Sequence, residues 1–152
     1  MNRPALIIPT LILLCVALSG CGGDVAGKGG HIAVKHILIA VGPTAPVTPF
    51  TLVRPVSRTP EDARVIAEQI LRKAQAGEDF DKLMATYSDD SPPGTYTMSD
   101  NGVAANPGEY PRANVPVAFG NISFSLKVGE VGMAPFDPFV SPAGFHIIKR
   151  IR

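Results

Sequence analysis

Hydrophobic and polar positions are patterned most clearly at the two ends of the region after residue 31. Ile32-Ala-Val-Lys-His-Ile-Leu-Ile-Ala40 is rich in β-branched residues and stops at Gly42-Pro43, which predicts a strand. Alternation places Val34, His36 and Leu38 on one face, and Lys35, Ile37 and Ile39 on the other. Gly144-Phe-His-Ile-Ile-Lys-Arg-Ile151 predicts a second strand, with His146 sharing a face with Gly144 and Ile148. Between them, Ala63, Ile66, Ala67, Ile70, Leu71 and Ala74 recur at helical spacing. Thr59-Pro60-Glu61-Asp62 supplies a hydroxyl cap, a proline at the first helical position and acids at the positive end of the dipole. Gly77 supplies the stop. A second helix is expected from about Asp79, with Phe80, Leu83, Met84 and Tyr87 inward, and a third over Val117–Leu126. Thr95–Met98 and Val131–Ala134 read as short strands. Pro43, Pro46, Pro49 and Pro55 make residues 41–59 a long loop, because proline removes ladder donors and restricts the residue before it. A first and last strand of this quality would pair at the centre of a small sheet, which gives an α+β domain over residues 32–152.

Composition narrows the function without selecting one. The 152 residues are enough for one compact domain. A formal net charge of +1 lacks the basic excess of a general polyanion binder, so no nucleic-acid partner is expected. Fifteen Gly and fifteen Pro lack the period of collagen, and 45% hydrophobic residues are too many for full disorder.

The N-terminus carries its own signal. Arg3 precedes a short apolar run, and Leu18-Ser19-Gly20-Cys21 resembles the lipobox of bacterial lipoproteins at all four positions. That resemblance implies a signal peptide over residues 1–20, cleavage before Cys21, and lipid on its sulfur. Residues 21–31, rich in Gly, would be a flexible tether, with His31 solvated at its junction. Cys15 would leave with the signal, so the mature chain would hold no free thiol. Cysteine-nucleophile, disulfide and thiolate–metal chemistry fall together.

Candidate chemistry then rests on histidines and acids. Single imidazoles inside strands are ordinarily satisfied core groups. Two side by side on central strands perturb one another's titration, which makes His36 and His146 a candidate site. Ser88-Asp89-Asp90-Ser91 reads as a loop acid pair near a helix end, and two carboxylates without a third are poor support for a metal. No phosphate-binding Gly loop, serine nucleophile elbow or HExxH zinc motif is present.

Lys35-His36-Ile37-Leu38-Ile39, Gly77-Glu-Asp-Phe80, Tyr87-Ser-Asp-Asp90, Phe119 with Phe124, Leu126-Lys-Val-Gly-Glu-Val131 and Gly144-Phe-His-Ile-Ile-Lys149 follow one another along the chain. In order and spacing, these segments together resemble the parvulin (rotamase) domain of peptidyl-prolyl cis-trans isomerases. The resemblance implies a four-stranded antiparallel sheet wrapped by about four helices. It implies catalytic roles for His36, Asp90, His146 and Ser141, the last as a hydroxyl bonded to the second histidine. Phe119 and Phe124 would wall a proline slot, with Val115 as a smaller wall. Gly94-Thr-Tyr-Thr-Met98 departs from the family pattern, and Tyr96 or Met98 would line the slot there. Arg54 and Arg58 are separated, unlike the basic cluster of phospho-directed members, so no phosphate requirement is expected. The implied activity is rotation about X–Pro bonds of unfolded or Pro-containing exported polypeptides, without metal or cofactor. The implied location is the cell envelope, lipid-anchored through Cys21 and facing the periplasm. Gly22 after Cys21 points to the outer membrane by analogy. A non-catalytic chaperone or peptide-binding module on the same fold is the alternative.

Overall fold

The computed structural model describes residues 30–43 and 49–152. The signal and lipid-anchor expectations, Cys21 included, lie outside these residues. The elements are β1 (His31–Ala40), α1 (Pro60–Gln75), α2 (Phe80–Tyr87), β2 (Thr95–Ser99), β3 (Tyr110–Pro111), a 3-10 turn at Arg112–Asn114, α3 (Val117–Ser125), β4 (Val131–Ala134) and β5 (Gly144–Arg150). The strand therefore begins at His31, inside the expected tether. His31 pairs with Ser99 and its Nδ1 lies 2.7 Å from Glu109 Oε2, so it is held rather than merely solvated.

The helix starts follow their local chemistry. Thr59 accepts the Asp62 amide, with Pro60 at the first helical position, and Asp79 accepts the amides of Asp81 and Lys82. The first and last strands pair at the centre of the sheet, whose order is β3-β2-β1-β5-β4. β1 is antiparallel to both β2 and β5, and β4 is antiparallel to β5. The fold is α+β, but the sheet has five strands instead of the four expected. The extra one is two residues long and parallel to β2. Tyr110–Pro111 is too short for any periodicity to reveal, and its proline confines it to an edge.

Two apolar layers sandwich the sheet. α1 and α2 cover one face, where Ile37, Ile39, Phe145 and Ile147 meet Ala63, Ala67, Ile70, Phe80 and Leu83. α3 covers part of the other, where Val34, Leu38, Met98 and Ile148 meet Val115, Phe119 and Phe124. The β1–β5 register is strict at Gly144, whose φ is +149° and whose added Cβ would lie 2.2 Å from the Ile39 carbonyl oxygen. That register sets Leu38 opposite His146 and His36 opposite Ile148. The two histidines thus become diagonal neighbours on the α3 face.

Candidate active site

The paired histidines are in contact. His36 Nε2 and His146 Nδ1 are 2.8 Å apart, the rings stack at 4.8 Å between centroids, and both side chains are fully buried. His36 Nδ1 faces Asp90 Oδ2 at 3.5 Å, a charge contact longer than a good hydrogen bond. Tyr96 donates its hydroxyl to the same oxygen. The other carboxylate oxygen accepts the amides of Thr51 at 2.8 Å and Ser91 at 3.0 Å.

These contacts fix the charges. Burial pushes the Asp90 carboxyl up, but His36, the Tyr96 hydroxyl and the Thr51 amide together outweigh it, so the group titrates below its usual range. Burial lowers the His36 pKa and Asp90 only partly offsets it. Burial, and then His36, push His146 well below its ordinary value. Burial and the bond to Asp90 raise the Tyr96 phenol far above its usual range. At neutral pH the site therefore holds one carboxylate, a neutral phenol and two neutral imidazoles. A carboxylate can only accept, so the proton of His36 belongs on Nδ1. Nε2 then accepts from His146 Nδ1, which leaves His146 Nε2 a buried acceptor without a partner.

An aromatic cage encloses the pair. Phe119 lies 5.2 Å from His36 and 5.5 Å from His146, and Tyr96 lies 5.8 Å from His36. Phe119 is fully buried. Among the described residues, the Phe50 ring takes the place above the imidazoles where an open slot is expected. The Phe50 ring is 4.8 Å from each histidine and 5.0 Å from Phe119. A hollow of about 270 Å³ does touch Asp90, but Val53, Arg54, Met84, Pro92 and Pro93 line it, none of them a member of the cage.

The expected residues separate accordingly. His36, His146, Asp90 and Phe119 come together. Met98 and Val115 are buried in the same apolar layer, but Tyr96, not Met98, closes on the histidines. Phe124 is buried in the same layer but is not among the rings packed on the histidines, and the Arg112 guanidinium lies 4.8 Å over its ring. Five residues along a helix turn it by roughly 140° from Phe119, too far to share the cage. Ser141 does not bond His146. Its hydroxyl donates to the Gly144 carbonyl at 3.0 Å, closing the turn that leads into β5.

Two residues that shape the site are hidden in the sequence. Phe50 stands in a proline-rich loop with no periodic pattern to mark it. Asp89 is as buried as its neighbour but does different work. It accepts the Ala40 amide at 3.0 Å, Arg58 at 2.7 Å and Arg54 at 3.0 Å. Arg54 and Arg58, separated in the sequence, thus converge on one carboxylate.

The family model described as "PPIC-type PPIASE domain", Rotamase, matches residues 36–152. The chain is 34% identical to the chaperone SurA of Dechloromonas aromatica over 64% of its length and 20% of that protein's. It is 30% identical to the foldase protein PrsA of Bacillus subtilis over 82% of its length and 31% of that protein's. The chain therefore spans only about a fifth to a third of these curated relatives. Among solved structures, the peptidyl-prolyl isomerase ESS1 from Candida albicans superposes with a TM-score of 0.60 at 22% identity, covering 84% of this chain and 66% of that one.

Proposed function

We propose, from the premise that the chain belongs to the PPIC-type PPIase (parvulin) family, that it is a peptidyl-prolyl cis-trans isomerase. The observation that carries this reading is the neutral His36–His146 pair against the Asp90 carboxylate inside an aromatic cage.

The chemistry asks little of the protein beyond shape and polarity. Partial double-bond character sets a rotation barrier of ~18–20 kcal/mol about the X–Pro amide. A catalyst must favour the twisted amide, whose nitrogen lone pair has left conjugation and whose carbonyl is less polar. An apolar aromatic slot does so by disfavouring the charge-separated planar form. Phe119, Tyr96 and the uncharged imidazole faces provide such a wall. Asp90, fixed by Tyr96 and backbone amides, orients His36 and supplies the one charge at the margin. Val117 and Phe139 are strongly exposed, and the Ala118 amide donates to the Val140 carbonyl at 3.0 Å, so the start of α3 and the loop before β5 meet at an exposed apolar edge.

Proline-limited refolding of a model substrate tests the reading. Wild type accelerates the slow phase, and Asp90→Ala or His36→Ala lowers kcat/KM at least ~10-fold while circular dichroism stays native, a loss of about 1.4 kcal/mol of transition-state stabilisation. A wild-type rate equal to buffer ends it. A holdase reading on the same fold is favoured by the occupied slot and by the chaperone name of one relative. Suppressed aggregation without any rate enhancement selects it. The substrates we propose are exported, unfolded or Pro-containing polypeptides.

We further propose that Leu18-Ser19-Gly20-Cys21 directs lipidation at Cys21 and holds the domain at the outer membrane, facing the periplasm. Metabolic labelling with a radioactive fatty acid should tag the wild type and not Cys21→Ser. Equal labelling of both would remove the anchor.

A further inference from the structure

We propose that Phe50 occupies the place of a substrate's prolyl ring, so that this form of the protein is self-occluded and an X–Pro segment enters by displacing it. The inference rests on the isomerase reading and goes beyond it by naming what the substrate must compete with.

Among the rings in contact with the histidines, His36 and Tyr96 stand on strands and Phe119 stands on a helix, whereas Phe50 stands on a loop. Yet it touches every wall of the cage. It lies 4.8 Å from both imidazoles, 5.0 Å from Phe119 and 5.5 Å from Tyr96, and it is 5% exposed. A prolyl ring asks for the same surroundings, namely an apolar body against aromatic faces with no polar group to satisfy.

The backbone around Phe50 is held as an incoming peptide would be. Leu52 bridges Asp90 in antiparallel fashion, the Ser91 amide donates to the Thr51 carbonyl at 2.8 Å, and the Val53 amide donates to the Asp89 carbonyl at 3.0 Å. Thr51 N–H donates to Asp90 Oδ1, so the carboxylate that faces His36 also pins the residue beside the plug. A substrate amide can take over that bond, and its proline can take over the apolar surroundings. The bound segment thus restores to the cage what the departing loop gives up.

The clasp holding the loop is releasable at one end. Arg58 is mostly covered, with its guanidinium on Asp89 and the Ala40 carbonyl. Arg54 reaches Asp89 from a side chain 60% exposed. When the binding-competent form is a minor fraction of the molecules, apparent affinity falls by that fraction, and removing the occupant restores it.

The test compares wild type, Phe50→Ala and Arg54→Ala in a chymotrypsin-coupled assay, with binding of an Ala-Leu-Pro-Phe peptide followed by NMR shifts. Phe50→Ala is expected to lower the peptide Kd and KM ~5-fold or more, with kcat within ~2-fold of wild type. Arg54→Ala, which frees the clasp without touching the cage, is expected to shift both ~2-fold in the same direction. The second variant decides the matter if the first does not fold. Phe50→Ala binding equally or more weakly, or a folded Arg54→Ala with no gain where Phe50→Ala is unfolded, makes Phe50 a permanent wall and overturns the inference alone. If wild type and Phe50→Ala neither bind nor turn over the peptide, the isomerase reading falls and takes this inference with it.

Discussion

The two faces of the sheet are built from the same strands and do opposite things. On the α1–α2 helix face, Ile37, Ile39, Phe145 and Ile147 pack against those two helices in an apolar cluster. On the other face, one residue over, His36 and His146 are buried with ring nitrogens that lack partners. Asp90 and Tyr96 are buried beside them, and Arg150 reaches the Leu126 carbonyl at 2.7 Å. A buried polar group without a partner costs free energy. The second face is therefore not the arrangement that stability alone would choose. The helix face stabilises the sheet, and the stable sheet holds the histidine face in an unfavourable but defined geometry.

The largest expected effect separates the two. Ile147 is fully buried on the helix face, next along β5 from His146. Ile147→Ala should destabilise the domain by about 2–5 kcal/mol, as deletion of a buried aliphatic side chain does. Urea denaturation would read this as a lower midpoint with an unchanged slope. The folded fraction should keep its kcat/KM. The division of labour breaks if Ile147→Ala slows catalysis as strongly as Asp90→Ala does while the chain remains folded.

The sequence makes some of this legible and hides the rest for physical reasons. Alternation in β1 and β5 assigns each residue to a face, because successive side chains of a strand point to opposite sides of the sheet. The meeting of His36 and His146 follows from the pairing of these two strands. What alternation cannot do is tell Asp89 from Asp90. They are adjacent in a loop, and only the path of the chain sends one to Arg54 and Arg58 and the other to Tyr96 and His36. Phe50 was hidden for the same reason. Its position depends on pairing between residues 51–53 and 89–91, nearly forty residues apart and without regular structure. Phe124 was misplaced because a family motif names residues along the chain, while the helical turn decides which of them face the cage. Ser141 was misassigned because a hydroxyl near a histidine can equally close a turn, and here the Gly144 carbonyl is its acceptor.

A smaller effect distinguishes the faces by pH. His36 and His146 both titrate below their ordinary value in the folded protein, chiefly because they are buried. Above the unfolded-chain value near 6.5 the rings are neutral in both states and contribute no pH dependence. As the pH falls below it, the unfolded chain takes up protons that the native chain refuses, so stability falls with falling pH. The limiting slope is about 1.4 kcal/mol per pH unit for each ring. Asp90 adds a separate loss of the same sign only at more acid pH, because its folded pKa also lies below the unfolded one. The histidine face should therefore make unfolding pH-dependent as the pH falls below about 6.5, before Asp90 contributes. His146→Phe keeps an aromatic ring in the cage and removes one titrating group, so it should roughly halve that slope while Ile147→Ala leaves it unchanged. Urea midpoints of the three proteins at several pH values read this directly. A slope in His146→Phe equal to that of wild type would mean that the pair is not held neutral, and that the proton arrangement from Asp90 through His36 to His146 is wrong.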